Sequence, residues 1–126
     1  IIDQFSTDYS WTQIIIGRVA NPGFVKWKVK VIKTTYKNFD QIHKVIDSMS
    51  YWDILVAETT SPELISACHK AGAIITNQGW LMSHAAIISR ELWIPCIVGI
   101  GNATEILKDD MMIEVDGEKW EIIILI

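Results

Sequence analysis

Cysteine is scarce in this chain, with two in 126 residues. Cys68 has only His69 beside it and Cys96 follows Pro95, a spacing that excludes a disulfide scaffold and gives no metal knuckle. Both read as small buried core residues in a reducing compartment. Proline is also sparse, at Pro22, Pro62 and Pro95, which leaves no proline-rich linker or tail. Positive charge is outnumbered: 11 Lys and Arg against 15 Asp and Glu give a formal charge of −4 and a pI near 5.2. That balance offers no electrostatic case for nucleic acid or an anionic membrane as the main partner. No apolar run reaches membrane-spanning length and no charged-then-apolar leader opens the sequence, so a cytoplasmic location is expected.

What the chain does have is apolar residues. Half of it is hydrophobic, enough for one compact domain with a real core. Residues 1–13 show no clean period and are expected to form an arm or linker, with the folded domain spanning 14–126. Ile14 to Ala20 reads as a strand ended by the Asn21-Pro22-Gly23 turn. Val25, Trp27, Val29 and Val31 then alternate with Lys26, Lys28 and Lys30, a half-buried strand with a solvated basic face. From Asn38 the period becomes helical, with Phe39, Ile42, Val45, Ile46 and Met49 on one face and Asn38 and Gln41 at capping-box spacing. His43 lies off that face and has no role assigned.

Asp53 to Ala57 is a buried strand. Thr60 is the expected N-cap of the following helix, with Pro62 in its first turn and Glu63 three residues after the cap; Gly72 is its expected C-terminal stop. Ala73 to Thr76 is again a buried strand, Asn77-Gln78-Gly79 a turn, and Ala85 to Leu92 a helix with Ser83 as N-cap. A third short strand follows at Cys96 to Val98. This βαβαβ centre implies right-handed parallel crossovers and an α/β sheet. Three segments leave strands at its carboxyl edge, where ligands of such sheets gather: Glu58-Thr59-Thr60, Asn77-Gln78-Gly79 and Gly99-Ile100-Gly101-Asn102. Gly99-Ile100-Gly101 has too few glycines for a dinucleotide loop. Ala103 to Lys108 reads as a short helix, and Met111 to Val115 and Trp120 to Ile126 as strands around an Asp116-Gly117 turn.

The chemistry centres on His84. An imidazole in the first turn of a helix sits among unpaired N–H groups at the positive end of the dipole, which disfavours its protonation and favours an anion. A neutral ring there has a lone pair for attack, and a phosphoryl group received on it would meet donors already aimed at its oxygens. Packing or capping is the plain alternative for a lone histidine. No Asp, Glu or second His is placed by sequence as a general base for a small-molecule hydrolase.

The surrounding residues change the weighting. The run Gly79-x-x-x-Ser83-His84-Ala85-Ala86-Ile87-x-Ser89-Arg90-Glu91-Leu92-x-Ile94-Pro95 resembles the phosphohistidine signature of the phosphoenolpyruvate-utilising enzymes, among them phosphoenolpyruvate synthase, pyruvate phosphate dikinase and enzyme I of the sugar phosphotransferase system. The resemblance extends over Asp53 to Pro62, Cys96 to Gly99, Asn102 to Thr104 and Val115 to Gly117. It implies an α/β fold of the swivelling β/β/α type, with a parallel βαβαβ centre and β-rich ends, and a phosphotransferase component that is incomplete without partner domains. His84 is then the residue that accepts and donates phosphate. Ser83 and Gly79 are its expected phosphate-supporting residues, and Arg90 and Thr60 possible further supports. No cofactor or metal is expected on this chain; ATP or phosphoenolpyruvate with Mg belongs on nucleotide-binding and phosphoenolpyruvate- or pyruvate-binding partner domains.

Departures from the family pattern are concentrated in one residue type. Trp80 stands where the family usually has a second glycine, and Trp27, Trp52, Trp93 and Trp120 also fall where relatives often carry glycine. Met82 replaces a threonine that is a regulatory phosphorylation site in some relatives. A bulky residue forced into a glycine conformation costs on the order of 1–3 kcal/mol. The competing expectation is therefore a non-catalytic interaction module with the same fold, inactivated by Trp80.

Overall fold

Ile54-Leu55-Val56-Ala57 has no polar residue on either face of its strand, and all four side chains are buried. A strand apolar on both sides must be covered on both, and the whole architecture follows from that demand. The structure, a computed structural model, describes residues 13–33, 39–60, 64–79 and 83–125. In chain order these form β1 (Gln13–Ile16), β2 (Arg18–Asn21), β3 (Phe24–Ile32), α1 (Phe39–Ser48), β4 (Ile54–Ala57), α2 (Ile65–Lys70), β5 (Ala73–Thr76), α3 (His84–Leu92), β6 (Cys96–Val98), α4 (Ala103–Ile106), β7 (Met112–Asp116) and β8 (Glu121–Ile124).

The strands run in the order β1-β8-β7-β3-β4-β5-β6-β2. From β3 to β6 the pairing is parallel, and β2 closes that end antiparallel. On the other side β3, β7, β8 and β1 pair antiparallel. Strand β3 serves both halves: Phe24 to Lys28 pair with β7, and Val29 to Ile32 with β4. Two cores result. Leu55, Ile74, Cys96 and Val98 point to one face and pack under Ile42 and Ile46 of α1, Ala67 and Cys68 of α2 and Ala85 and Ala86 of α3. Ile54, Val56, Ile75 and Ile97 point to the other and pack on Val29, Ile113, Val115 and Ile122, with Leu107 beside them. Helices, parallel sheet and antiparallel sheet are thus three layers, the β/β/α arrangement with a parallel centre and β-rich ends.

Several local expectations change. The single strand over Ile14–Ala20 is two strands broken at Gly17, β1 pairing with β8 and β2 with β6. A Cβ at Gly17 would lie 2.5 Å from Ile97 Cγ2 and 2.8 Å from Ile100 Cγ1, so only glycine lets the chain cross between the sheets there. Gln13 belongs to β1, pairing with Ile124, and residues 1–12 of the expected arm lie outside the described residues.

The lysine face of β3 is less solvated than alternation suggested. Lys28 Nζ stands 3.9 Å from Asp53, Lys30 Nζ 3.9 Å from Asp109, and Trp27 is exposed while its Nε1 donates to Asp53 Oδ1 at 3.2 Å. Buried Asp53 also accepts from Ser50 N–H at 2.9 Å, which ties the entry to β4 onto β3.

Helix α2 starts at Ile65 behind Leu64, so Thr60 is not its N-cap; Pro62 and Glu63 lie outside the described residues, as does the Asn38 end of the capping box before α1. Gly72 does not end α2 in the left-handed conformation. Ala71 caps it in an extended conformation, and a Cβ at Gly72 would fall 2.6 Å from Trp52 O, so close backbone approach is what excludes a side chain. Trp120 is the last turn residue rather than the first of β8, with φ of 63°.

Candidate functional site

Three strand ends build the site. Asn77 N–H donates to Ala57 O at 3.1 Å and Gln78 N–H to Glu58 O at 2.9 Å, which locks the loop after β5 to the loop after β4. Ile100 N–H donates to Thr76 O at 3.2 Å and Gly101 N–H to Asn77 O at 2.9 Å, which locks the loop after β6 to the same turn. The Asn77 side chain then reaches α4: its Nδ2 donates to Thr104 Oγ1 at 2.8 Å and its Oδ1 accepts from Thr104 N–H at 3.2 Å. The three segments expected at the carboxyl edge of the parallel sheet are therefore one hydrogen-bonded platform.

Helix α3 rises from this platform. Ser83 is its N-cap, extended at φ −67° and ψ 165°, and its hydroxyl accepts from Ala86 N–H at 3.3 Å. Ser83 O accepts from Ile87 N–H at 3.0 Å, so the amides of His84 and Ala85 precede the helical ladder and face outward from its start. Gly79 has φ of +117°, and a Cβ there would sit 3.1 Å from Ser83 Cβ and Oγ. Its lack of a side chain keeps the turn tight against the cap.

His84 is the first residue of α3 and is exposed. Its Nδ1 lies 2.9 Å from Thr60 Oγ1, and Thr60 is buried. The hydroxyl read from sequence as a helix cap is thus turned to the imidazole instead, holding one ring nitrogen and leaving Nε2 as the other. When Nδ1 carries the proton and donates it to Thr60, the lone pair resides on Nε2. For the remaining candidate, Arg90, Nε donates to Ala20 O at 3.1 Å, joining α3 to β2. The structure therefore brings His84, Ser83, Gly79 and Thr60 together. Trp80 and Met82 lie outside the described residues.

Asn77 is the positioning residue that sequence reasoning passed over. Its place in an Asn-Gln-Gly turn leaving a buried strand was a signal for turn chemistry, but the partner in α4 is visible only in three dimensions. Both cysteines are buried, and burial pushes the Cys68 thiol up to about 11 and the Cys96 thiol up to about 12. Neither is a thiolate at neutral pH, and they are core residues as expected. Among the described residues no three or more His, Cys, Asp or Glu stand together as metal ligands, and no described helix is long and apolar enough to cross a membrane.

The structure thus sets a histidine at a helix start on the carboxyl edge of a β/β/α domain, and the comparisons carry that fold to a family. Residues 51–119 match the model of the PEP-utilising enzyme, mobile domain; the chain belongs to that family. It is 42% identical over 106 residues to a probable phosphoenolpyruvate synthase of Methanothermobacter thermautotrophicus, covering 84% of this chain and 14% of that one. It is 43% identical to the phosphoenolpyruvate synthase of Pyrococcus furiosus, covering 84% and 12%. The chain thus spans only a small part of these curated relatives. An Enzyme I solution structure superimposes with a TM-score of 0.54 at 27% identity, over 63% of this chain and 33% of that one. Thermococcus kodakaraensis aconitase X shares the fold, with a TM-score of 0.61 at 19% identity over 90% of this chain and 99% of that one. Nothing in these likenesses supports the alternative of a non-catalytic interaction module.

Proposed function

We propose that this chain is a phosphoryl-carrier domain that accepts and donates phosphate on His84 within a phosphoenolpyruvate- or ATP-dependent phosphotransferase. The observation that supports it most directly is the exposed ring at the start of α3, with Nδ1 against buried Thr60. In this reading the Nε2 lone pair attacks phosphorus in line. The N–P bond forms, the bond to the leaving oxygen breaks, and the leaving group departs with that electron pair. The ring becomes cationic as it bonds, with its Nδ1 proton held toward Thr60 Oγ1. The transferred oxygens meet the amides of the helix start, each such charge–dipole interaction being worth about 0.3–1 kcal/mol when exposed. Transfer to the acceptor runs the same steps backward.

Ser83 supports the phosphate by capping the helix, and Gly79 by keeping the turn close. Arg90 acts as a brace between α3 and β2. ATP or phosphoenolpyruvate and its Mg are brought by nucleotide-binding and phosphoenolpyruvate- or pyruvate-binding partner domains. The domain is expected to work in the cytoplasm. The test supplies labelled ATP or phosphoenolpyruvate together with the cognate partner domains. Acid-labile phosphate should appear on the wild-type chain and be absent from His84→Ala; label retained by that variant refutes the assignment.

A further inference from the structure

Four described non-glycine residues have positive φ: Trp52 at 78°, Trp93 at 60°, Asp110 at 68° and Trp120 at 63°. Aspartate is one of the residue types that tolerates this region, because its short side chain bonds locally. Tryptophan is not, yet it fills the other three places. Nor does packing compensate, since Trp52, Trp93 and Trp120 are 67%, 90% and 55% exposed. Each backbone position is one that glycine ordinarily fills. Trp93 is the left-handed C-cap of α3, its N–H donating to Ser89 O. Trp120 closes the turn between β7 and β8. Trp52 lies in the turn before β4, bonded through its N–H to Lys70 O at 2.8 Å.

An indole is therefore placed, three times, where the chain gains nothing from it and the backbone disfavours any Cβ. The genetic code offers a single cause for all three. The UGA codon is read as stop, tryptophan or glycine in different codes, so a gene translated with UGA as tryptophan shows tryptophan wherever a glycine-reading cell inserts glycine. We propose that positions 52, 93 and 120 carry glycine in the protein as its own cell makes it, encoded by UGA. The reading is independent of the carrier role of His84. The open groove of about 320 Å³ walled in part by Trp27, Trp52 and Trp93 would lose two of those walls with glycine at positions 52 and 93.

Peptide mass spectrometry of the protein from its native cell decides the matter. Glycine is expected at all three positions, and tryptophan at any one of them overturns the proposal, as does a UGG codon at any one in the gene. Trp27 and Trp80, the other two at glycine-like places in the sequence, are read in the same spectra. The structural ground is tested separately with protein that carries tryptophan at all three positions: the triple variant Trp52→Gly, Trp93→Gly, Trp120→Gly should melt at a higher temperature. A melting temperature equal to or below that of the tryptophan form removes the argument from backbone conformation.

Discussion

In the proposed relay, one hydroxyl would set which nitrogen of His84 reacts. Thr60 Oγ1 stands 2.9 Å from Nδ1, and a neutral imidazole whose Nδ1 proton is so engaged presents its lone pair at Nε2. Thr60→Val keeps the shape of the buried side chain and removes the partner. Losing one hydrogen bond of about 1 kcal/mol should slow phosphate uptake roughly five- to tenfold. Thr60→Ser, which keeps a hydroxyl at the same place, should restore the rate. A rate unchanged in Thr60→Val would show that the contact does not orient the ring. Thr60 was named from sequence as a helix cap and a possible phosphate support, but not as a neighbour of the imidazole. A threonine ahead of Ser61-Pro62 looks like a helix cap by every local rule, and only the fold brings it to a ring 24 residues away. The tryptophans were legible in the opposite sense: their places looked glycine-like before any backbone angle was known, and positive φ at three of them is the physical reason.

At the level of the element, α3 does two tasks with one residue. Ser83 closes the helix start through Ala86 N–H, and the same turn presents His84. Ser83→Ala should cost about 1 kcal/mol of stability in urea unfolding and lower phosphate uptake as the first turn frays. Ser83→Asn restores a cap without charge and should recover both. Ser83→Asp also restores a cap, yet it sets a carboxylate where an incoming phosphoryl group must lie, so stability should return while uptake stays low. If Ser83→Asp takes up phosphate as well as wild type, the helix start is not where the phosphate rests. The start of this element was readable from sequence, because a capping serine and a run of good helix formers are local signals. The split of Ile14–Ala20 into β1 and β2 was not. An unbroken apolar run carries no mark of which sheet each half joins, and the cause is the space taken by Ile97 and Ile100 beside Gly17.

Over the whole molecule, the two cores share strands, which ties the layers into one body, as the proposed carrier role requires. β3 pairs with both sheets, and β1 and β2 are one chain bent at Gly17. Neither core can open while the other stays closed, so unfolding should be a single transition. The buried thiols make that testable through pH. Cys68 and Cys96 both lie in the helix-side core, with thiols pushed up by burial from 9.0 to about 11 and about 12. Below pH 9 folded and unfolded chains alike hold these protons, and the thiols leave stability unchanged. Above it the unfolded chain releases them while the folded chain retains them, so stability must fall as pH rises toward 11 and 12. At each thiol the loss is about 1.4 kcal/mol for every pH unit climbed between its unfolded and folded pKa. The cysteine share is the difference between wild type and Cys68→Ala, Cys96→Ala. That variant should start less stable at pH 8 from the lost packing and lose less on going to pH 11. Circular dichroism of the sheets and accessibility of the thiols to a chromogenic reagent should report the same midpoint at every pH. Thiols that react before the sheets melt would mean that the helix layer opens alone, and the domain would then not behave as one rigid body.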